Sequence, residues 1–140
     1  MVIYQLEHAY GSTDEYCAYV KMLGLYSSLE MVENAIEKCR NICGFSLFKN
    51  GFFFIKRYVE CEDALEYVYF VELYMHDKEY DFEHGEFMQI FASEEDANKY
   101  AEEADLNRFD FAKGGEIEYE ITVSKYKINE MEWRYGFDFD

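Results

Sequence analysis

Hydrophobic and polar residues alternate through the first ten positions. Val2, Tyr4, Leu6 and His8 fall on one face and Ile3, Gln5, Glu7 and Ala9 on the other, the period-two pattern of a half-buried strand. Turn chemistry follows at Tyr10-Gly11-Ser12-Thr13-Asp14, and Cys17 to Tyr26 reads as a second strand. The period then lengthens. Leu29, Val32, Ala35, Ile36, Cys39 and Cys43 recur three and four apart, with Glu33, Glu37 and Lys38 left outside, which predicts an amphipathic helix. Ser27 followed by Glu30 has the spacing of a capping box at its start. Gly44 or the Asn50-Gly51 pair releases the chain into a third strand, Phe52 to Val59.

The same order then returns at an offset of 65 residues. Tyr67 to Leu73 repeats the first strand, with Tyr69 at the place of Tyr4, Val71 at Leu6 and Glu72 at Glu7. The stretch Leu25 to Cys39 is echoed by Ile90 to Ala104, where Ser93 with Asp96 repeats the cap and Ala97, Tyr100, Ala101 and Ala104 form the apolar stripe. Between them Asp77 to Glu83 reads as an acidic loop and Glu86 to Phe91 as a strand. After the Lys113-Gly114-Gly115 turn, Ile117, Tyr119, Ile121 and Val123 alternate with Glu118, Glu120, Thr122 and Ser124, a strand with one wet face. The expected fold is α+β: two strand-strand-helix-strand half-domains related by internal duplication, their helices packed on mainly antiparallel sheet, which is expected to be one continuous pseudo-symmetric sheet, with two sheets side by side as the alternative. Residues 1–140 form a single domain in this reading, made of pseudo-repeats 1–65 and 66–140, because a unit of this length is a copied half-domain and not a solenoid repeat.

Composition changes this picture in three ways. Apolar residues make up 50% of the 140 and aromatics 20%, so a packed core is expected and disorder is excluded. No apolar run reaches the roughly 18 residues that a membrane span needs, and Met1 to Glu7 has no basic leader, so a cytosolic setting is expected. Cys17, Cys39, Cys43 and Cys61 are then reduced, small core residues; Cys39 and Cys43 share a helical face, but no second pair or suitably spaced histidine completes a zinc set. The charge matters most. The net charge is −17, with 10 acids against 6 bases in residues 1–71 and 20 against 7 in residues 72–140. Such a field repels nucleic acid and anionic membrane and speeds encounter with basic surfaces.

Candidate chemistry is sparse. The chain holds no Gly-x-Ser-x-Gly, phosphate loop, dinucleotide fingerprint or paired-cysteine motif, so no enzymatic activity and no cofactor is expected. His8 stands where the second half has Leu73, which marks it as a core histidine. His76 and His84 flank the carboxylates Asp77, Glu79, Asp81 and Glu83, yet Phe82 occupies the glycine position of a calcium loop and Met88 that of its closing glutamate. The loop therefore reads as solvated. The run Glu130 to Asp140 alternates aromatics with acids, and Trp133 and Tyr135 there are interface-type side chains.

Leu6-Glu7-His8-Ala9-Tyr10, Leu25-Tyr26-Ser27-Ser28 and Trp133-Arg134-Tyr135-Gly136-Phe137 give a resemblance to a family of short uncharacterised bacterial domains with L-E-H-S-Y, I-Y-S-S and W-x-x-G-F elements. The likeness covers about half the chain, and it departs from the pattern in that the last element follows only the second copy. It implies a bacterial or phage origin and a cytosolic setting, and it carries no activity. Charge and surface chemistry lead to the functional expectation: a small acidic binding protein that inhibits a basic protein partner, a nuclease toxin or a host defence factor, by occupying its nucleic-acid-binding surface, as an immunity protein or a phage anti-defence protein does. The expected docking residues are Asp77, Glu79, Asp81, Glu83, Glu118, Glu120, Trp133 and Tyr135, with no metal, no direct nucleic-acid binding and a monomer or homodimer. The alternatives are a small-molecule or nucleotide-binding domain with a cleft between the halves, and a structural oligomer subunit that pairs through an edge strand.

Overall fold

The computed structural model describes residues 1–10, 19–42, 44–47, 50–79, 82–104 and 117–132. They form six strands and two helices in the order β1 (Val2–Tyr10), β2 (Tyr19–Tyr26), α1 (Leu29–Cys39), β3 (Phe52–Tyr58), β4 (Tyr67–Asp77), β5 (Phe82–Phe91), α2 (Glu94–Glu103) and β6 (Ile117–Lys127), with a short 3₁₀ turn at Phe45–Leu47. The architecture is α+β with two three-stranded antiparallel sheets, ordered β2-β1-β3 and β5-β4-β6, in place of one continuous sheet: among the described residues no strand of one set is bonded to a strand of the other. The chain divides into two compact units, one of residues 1–59 with 127–140 and the other of residues 60–126. No helix among the described residues is long and apolar enough to cross a membrane.

In the first unit β1 is the middle strand, bonded to β2 on one side and β3 on the other. Its position also corrects the expected half-buried pattern, because both faces of β1 are covered: Leu6 and His8 are fully buried on one face, and Ile3, Gln5 and Glu7 are buried on the other. The first face joins Leu23, Tyr26, Phe45 and the helical residues Val32, Ala35 and Cys39 in one apolar cluster. His8 lies between the rings of Phe45 and Phe52, with centroids 4.9 and 4.7 Å away. Gly51 makes that packing possible, since a β-carbon there would stand 2.9 Å from His8 Nε2 and 2.2 Å from the Ala9 carbonyl oxygen. Burial pushes the Cys39 thiol up to about 11, so it stays protonated and apolar in character.

The helix cap is one residue later than the spacing suggested. Ser28 is the N-cap and accepts from the Met31 amide at 3.3 Å, while Ser27 precedes the cap. Ser27 is held from elsewhere: its N–H donates to Asn129 Oδ1 at 3.0 Å and its hydroxyl accepts from Asn129 Nδ2 at 3.1 Å. Leu29, expected in the buried stripe, is 44% exposed in the first turn, ahead of the point where the helix meets the sheet. Cys43 and Cys17 lie outside the described residues.

Asn129 belongs to a strap that returns to this unit. Ile128 bridges Leu25 in parallel, the Asn129 amide donates to the Leu25 carbonyl at 2.7 Å, and the Glu132 amide donates to the Leu23 carbonyl at 3.0 Å. The strap thereby occupies the outer edge of β2. It also constrains Gly24, which sits at φ +135 beside a register shift between Leu6 and Glu7. A β-carbon at Gly24 would stand 2.6 Å from the Glu130 carbonyl oxygen.

The opposite face of β1 carries a polar chain. Gln5 Nε2 donates to Glu7 Oε1 at 2.5 Å, and Arg57 Nε donates to Gln5 Oε1 at 3.1 Å. Desolvation raises the Glu7 carboxyl above its ordinary value near 4.5, and the hydrogen bond from Gln5 and the charge of Arg57 offset only part of that rise.

The second unit repeats the order strand, strand, helix, strand, with its middle strand β4 flanked by β5 and β6. Tyr69 pairs with Phe91 as Tyr4 pairs with Tyr26, and the register shift between Val71 and Glu72 stands 65 residues after that between Leu6 and Glu7. Val68, Phe70, Val71 and Leu73 are buried, with Phe70 edge-on to Phe87 and to Tyr126. Ser93 caps α2 and accepts from the Asp96 amide at 3.2 Å, as expected. Ala97 is fully buried, while Tyr100, Ala101 and Ala104 are only half-buried. The acidic loop expected over Asp77–Glu83 is instead largely a hairpin end: pairing runs on through His76 with Glu83 and Asp77 with Phe82. Polar side chains at the tip of a sheet cost nothing in burial, so backbone bonding extends past the point where the apolar pattern stops.

Gly24 on β2 and Glu7 on β1 each give a measurable outcome. Gly24→Ala forces a β-carbon into the strap and a side chain into a glycine-favoured φ, and should cost about 2–4 kcal/mol, read as a fall in urea midpoint at unchanged m-value. The raised Glu7 value means the folded state binds this proton more tightly than the unfolded chain. Its contribution is fully present below pH 4.5 and is lost as pH climbs through the elevated value. Glu7→Gln keeps the acceptor for Gln5 without the buried charge, so its melting temperature should exceed that of the parent at pH 7, with the gap closing towards pH 4.5.

Candidate partner-binding surface

Dividing the charge by compact unit sharpens its asymmetry. Residues 60–126 hold 20 acids against 5 bases, whereas residues 1–59 with 127–140 hold 10 against 8. The second unit thus carries −15 of the net −17.

Two places in that unit gather the carboxylates. At the hairpin end, Asp77 Oδ1 accepts the Glu79 amide at 3.0 Å, a turn in which the side chain stands in for a backbone acceptor. Lys78 reaches from the same turn to Glu118 at the start of β6, with Nζ 2.7 Å from Oε1, and His76 Nδ1 lies 4.0 Å from the other oxygen. The hydrogen bond from Lys78, then its charge, hold the Glu118 carboxyl below its ordinary value, with a smaller contribution from His76. The structure therefore brings Asp77, Glu79 and Glu118 to one end of the sheet, and it gives Glu118 an internal cation.

Glu120 stands in a different setting. With Asn98, Ala101 and Glu102 of α2 and Ile121, Thr122 and Val123 of β6, it lines a shallow open groove of about 500 Å³. The groove has an apolar floor and two carboxylates, an arrangement suited to the aliphatic stem and cationic head of a lysine or arginine from a partner. Helix α2 adds exposed Glu94, Glu95, Asp96 and Glu103 to Glu102, against a single Lys99. Sequence reasoning passed over these helical acids as cap and solvent-face residues. Their signal was the apolar stripe itself, built chiefly of alanines, which leaves most of the helix circumference to charged side chains.

Asp81, Trp133 and Tyr135 lie outside the described residues, and Glu83 is placed by its backbone in β5. In the first unit, Tyr26, Met31, Asn34, Ala35, Lys38, Asn129 and Met131 line a cavity of about 200 Å³, smaller than the roughly 300 Å³ at which drug-sized ligand pockets begin. Among the described residues no three His, Cys, Asp or Glu side chains stand together as a metal-binding group.

The Lys78 contact can be tested directly. In Lys78→Met the Glu118 carboxyl should titrate closer to its ordinary value near 4.5, followed through its side-chain carbon shift in an NMR titration, while Glu118→Gln should leave the backbone shifts of α2 unchanged.

Comparison of this chain with protein-family models, with curated proteins and with solved structures finds no match in any of the three, so the resemblance noted at Leu6–Tyr10, Leu25–Ser28 and Trp133–Phe137 rests on those residues alone.

Proposed function

We propose that this chain is a small acidic, cytosolic, non-enzymatic binding protein that inhibits a basic, nucleic-acid-binding protein by covering its phosphate-binding surface. The reading rests on one observation: a unit of 67 residues bears 20 acids against 5 bases, and its described acids are largely exposed on α2, β6 and the β4–β5 turn. Carboxylates spaced along a helix and an adjacent strand offer a cationic groove the charge pattern of a nucleic-acid backbone, while the Ala101, Ile121 and Val123 floor supplies apolar contact. Glu102 and Glu120 lead this surface, with Asp77 and Glu79 beside it on the same unit and Glu118 partly neutralised by Lys78. A partner of this kind is an immunity-type or anti-defence target: a nuclease toxin or a host defence factor.

The second part of the proposal is that the two units descend from one copied half, the later copy having gathered the acids. The shared offset of 65 in element order, in the Tyr4–Tyr26 and Tyr69–Phe91 pairs, and in the site of the register shift supports this reading.

The test is to mix the protein with each basic product encoded beside its gene and to measure affinity between about 50 and 500 mM salt, with and without a duplex oligonucleotide. Affinity should fall steeply with salt, the oligonucleotide should compete, and Glu102→Lys with Glu120→Lys should slow association about tenfold or more. Salt-indifferent affinity, or a ternary complex in which the oligonucleotide stays bound, would overturn the proposal.

A further inference from the structure

The first unit has two sheet edges, and the chain treats them differently. The outer side of β2 is bonded by the strap through the Leu23 and Leu25 carbonyls. The outer side of β3 has no paired strand among the described residues. It is also apolar: Phe53, Phe54 and Tyr58 are 42%, 43% and 72% exposed, three of the large hydrophobic side chains most open to solvent.

The hydrogen-bond phase of this edge can be derived. Met1 and Val59 exchange two backbone bonds of 2.9 Å, and the Ala9 amide donates to the Gly51 carbonyl at 2.9 Å. Bonded pairs alternate along an antiparallel ladder. Phe53, Ile55 and Arg57 therefore turn their backbone groups inward to Glu7, Gln5 and Ile3, and Phe52, Phe54, Lys56 and Tyr58 turn theirs outward.

We propose that this outer edge is a self-pairing surface, at which two copies of the chain join their β3 strands antiparallel about a two-fold axis through Ile55. Only a residue paired with itself can lie on that axis, which leaves Phe54, Ile55 and Lys56 as centres. Centring on Lys56 sets two ammonium groups opposite each other, and centring on Phe54 leaves Arg57 and Tyr58 outside the seven-residue strand overlap. Centring on Ile55 pairs all seven residues: Phe52 with Tyr58, Phe53 with Arg57, and Phe54 with Lys56. Each cation then faces an aromatic ring, and no like charges are opposed. Lys56, a residue that would otherwise guard an edge against foreign strands, becomes part of the match. The unit that carries this edge is itself near neutral, 10 acids against 8 bases, so it adds little charge repulsion of its own to self-pairing.

This surface is separate from the acidic groove, so its test is independent of the partner proposal. Sedimentation and light scattering on the full chain across micromolar concentrations should show the mass rising from monomer to dimer. In a mixture of isotope-labelled and unlabelled protein, a filtered NOE should connect Ile55 Hα of one copy to Ile55 Hα of the other, the close contact of a non-bonded antiparallel pair. F54K sets a lysine opposite Lys56 of the second copy and should hold the protein as a monomer. The double variant F54K with K56E sets opposite charges across the pair and should restore the dimer. Parent protein that stays monomeric throughout, a dimer lacking the Ile55 contact, or a dimer indifferent to F54K would overturn the proposal, as would a folded double variant that fails to reassociate.

Discussion

Enclosure of the middle strand is the constraint on which the rest of this structure depends. β1 and β4 each have a neighbour on both edges, so every backbone donor and acceptor along them is committed within the sheet. Where packing also covers a face of such a strand, the side chains there must be apolar or polar with an internal partner. Ile3, Leu6, Val68, Val71 and Leu73 meet the first condition and are fully buried. Gln5 and Glu7 meet the second through each other and Arg57, at the cost of a carboxyl whose neutral form the fold favours. Outer strands and helices are free of this demand. The acids accordingly sit on α2, on β6 and at the β4–β5 turn, and the exposed aromatics on β3.

Much of the fold could be read from residue order, for reasons that differ by element. β6 and the starts of β4 and α2 announce themselves through apolar period, because each has a drier and a wetter side, whereas β3 shows as an apolar run after the Asn50-Gly51 turn. The offset of 65 carried more information than any single motif: it placed Ser93 opposite Ser28, not Ser27, and so already contained the correct cap. β1 misled because its second face is polar in composition and buried in fact, and alternation cannot separate a solvated glutamate from one held by Gln5. The far end of β4 misled in the opposite sense, since His76 and Asp77 look like loop residues while their backbones stay paired. Of the two carboxylates that line the groove, Glu120 stood out in strand alternation, but Glu102 did not. Their groove exists only because α2 and β6, separated in sequence, lie side by side.

Charge segregation has a physical consequence beyond recognition. A balance of −15 confined to one unit raises self-repulsion there and leaves the other near −2. Lys78 relieves part of that repulsion by pairing with Glu118, which ties the β4–β5 turn to β6. Helix α2 itself carries five acids and one base, Lys99. Glu94, Glu95 and Asp96 lie in its first turn, where the helix dipole favours them, while Glu102 and Glu103 lie in its last turn, where it opposes them. A helix selected for stability alone would place lysine at that end.

The two units also show which of their shared features the sheet imposes and which the strap imposes. Both middle strands shift register at the same relative place, between Leu6 and Glu7 and between Val71 and Glu72. In the first unit Gly24 lies opposite that shift at φ +135; in the second, Gln89 occupies the equivalent position without a positive φ. The irregularity itself therefore does not require glycine. What requires it is the approach of the Glu130 carbonyl, which would lie 2.6 Å from any β-carbon at Gly24. The strap is drawn that close by Asn129, whose positive φ of 66 turns the chain so that its amide reaches the Leu25 carbonyl and its side chain reaches Ser27. Asparagine tolerates that conformation better than other residues with a β-carbon. Gly24 and Asn129 are thus two halves of one device, the first clearing space and the second filling it, and the β2 edge is sealed by their combination.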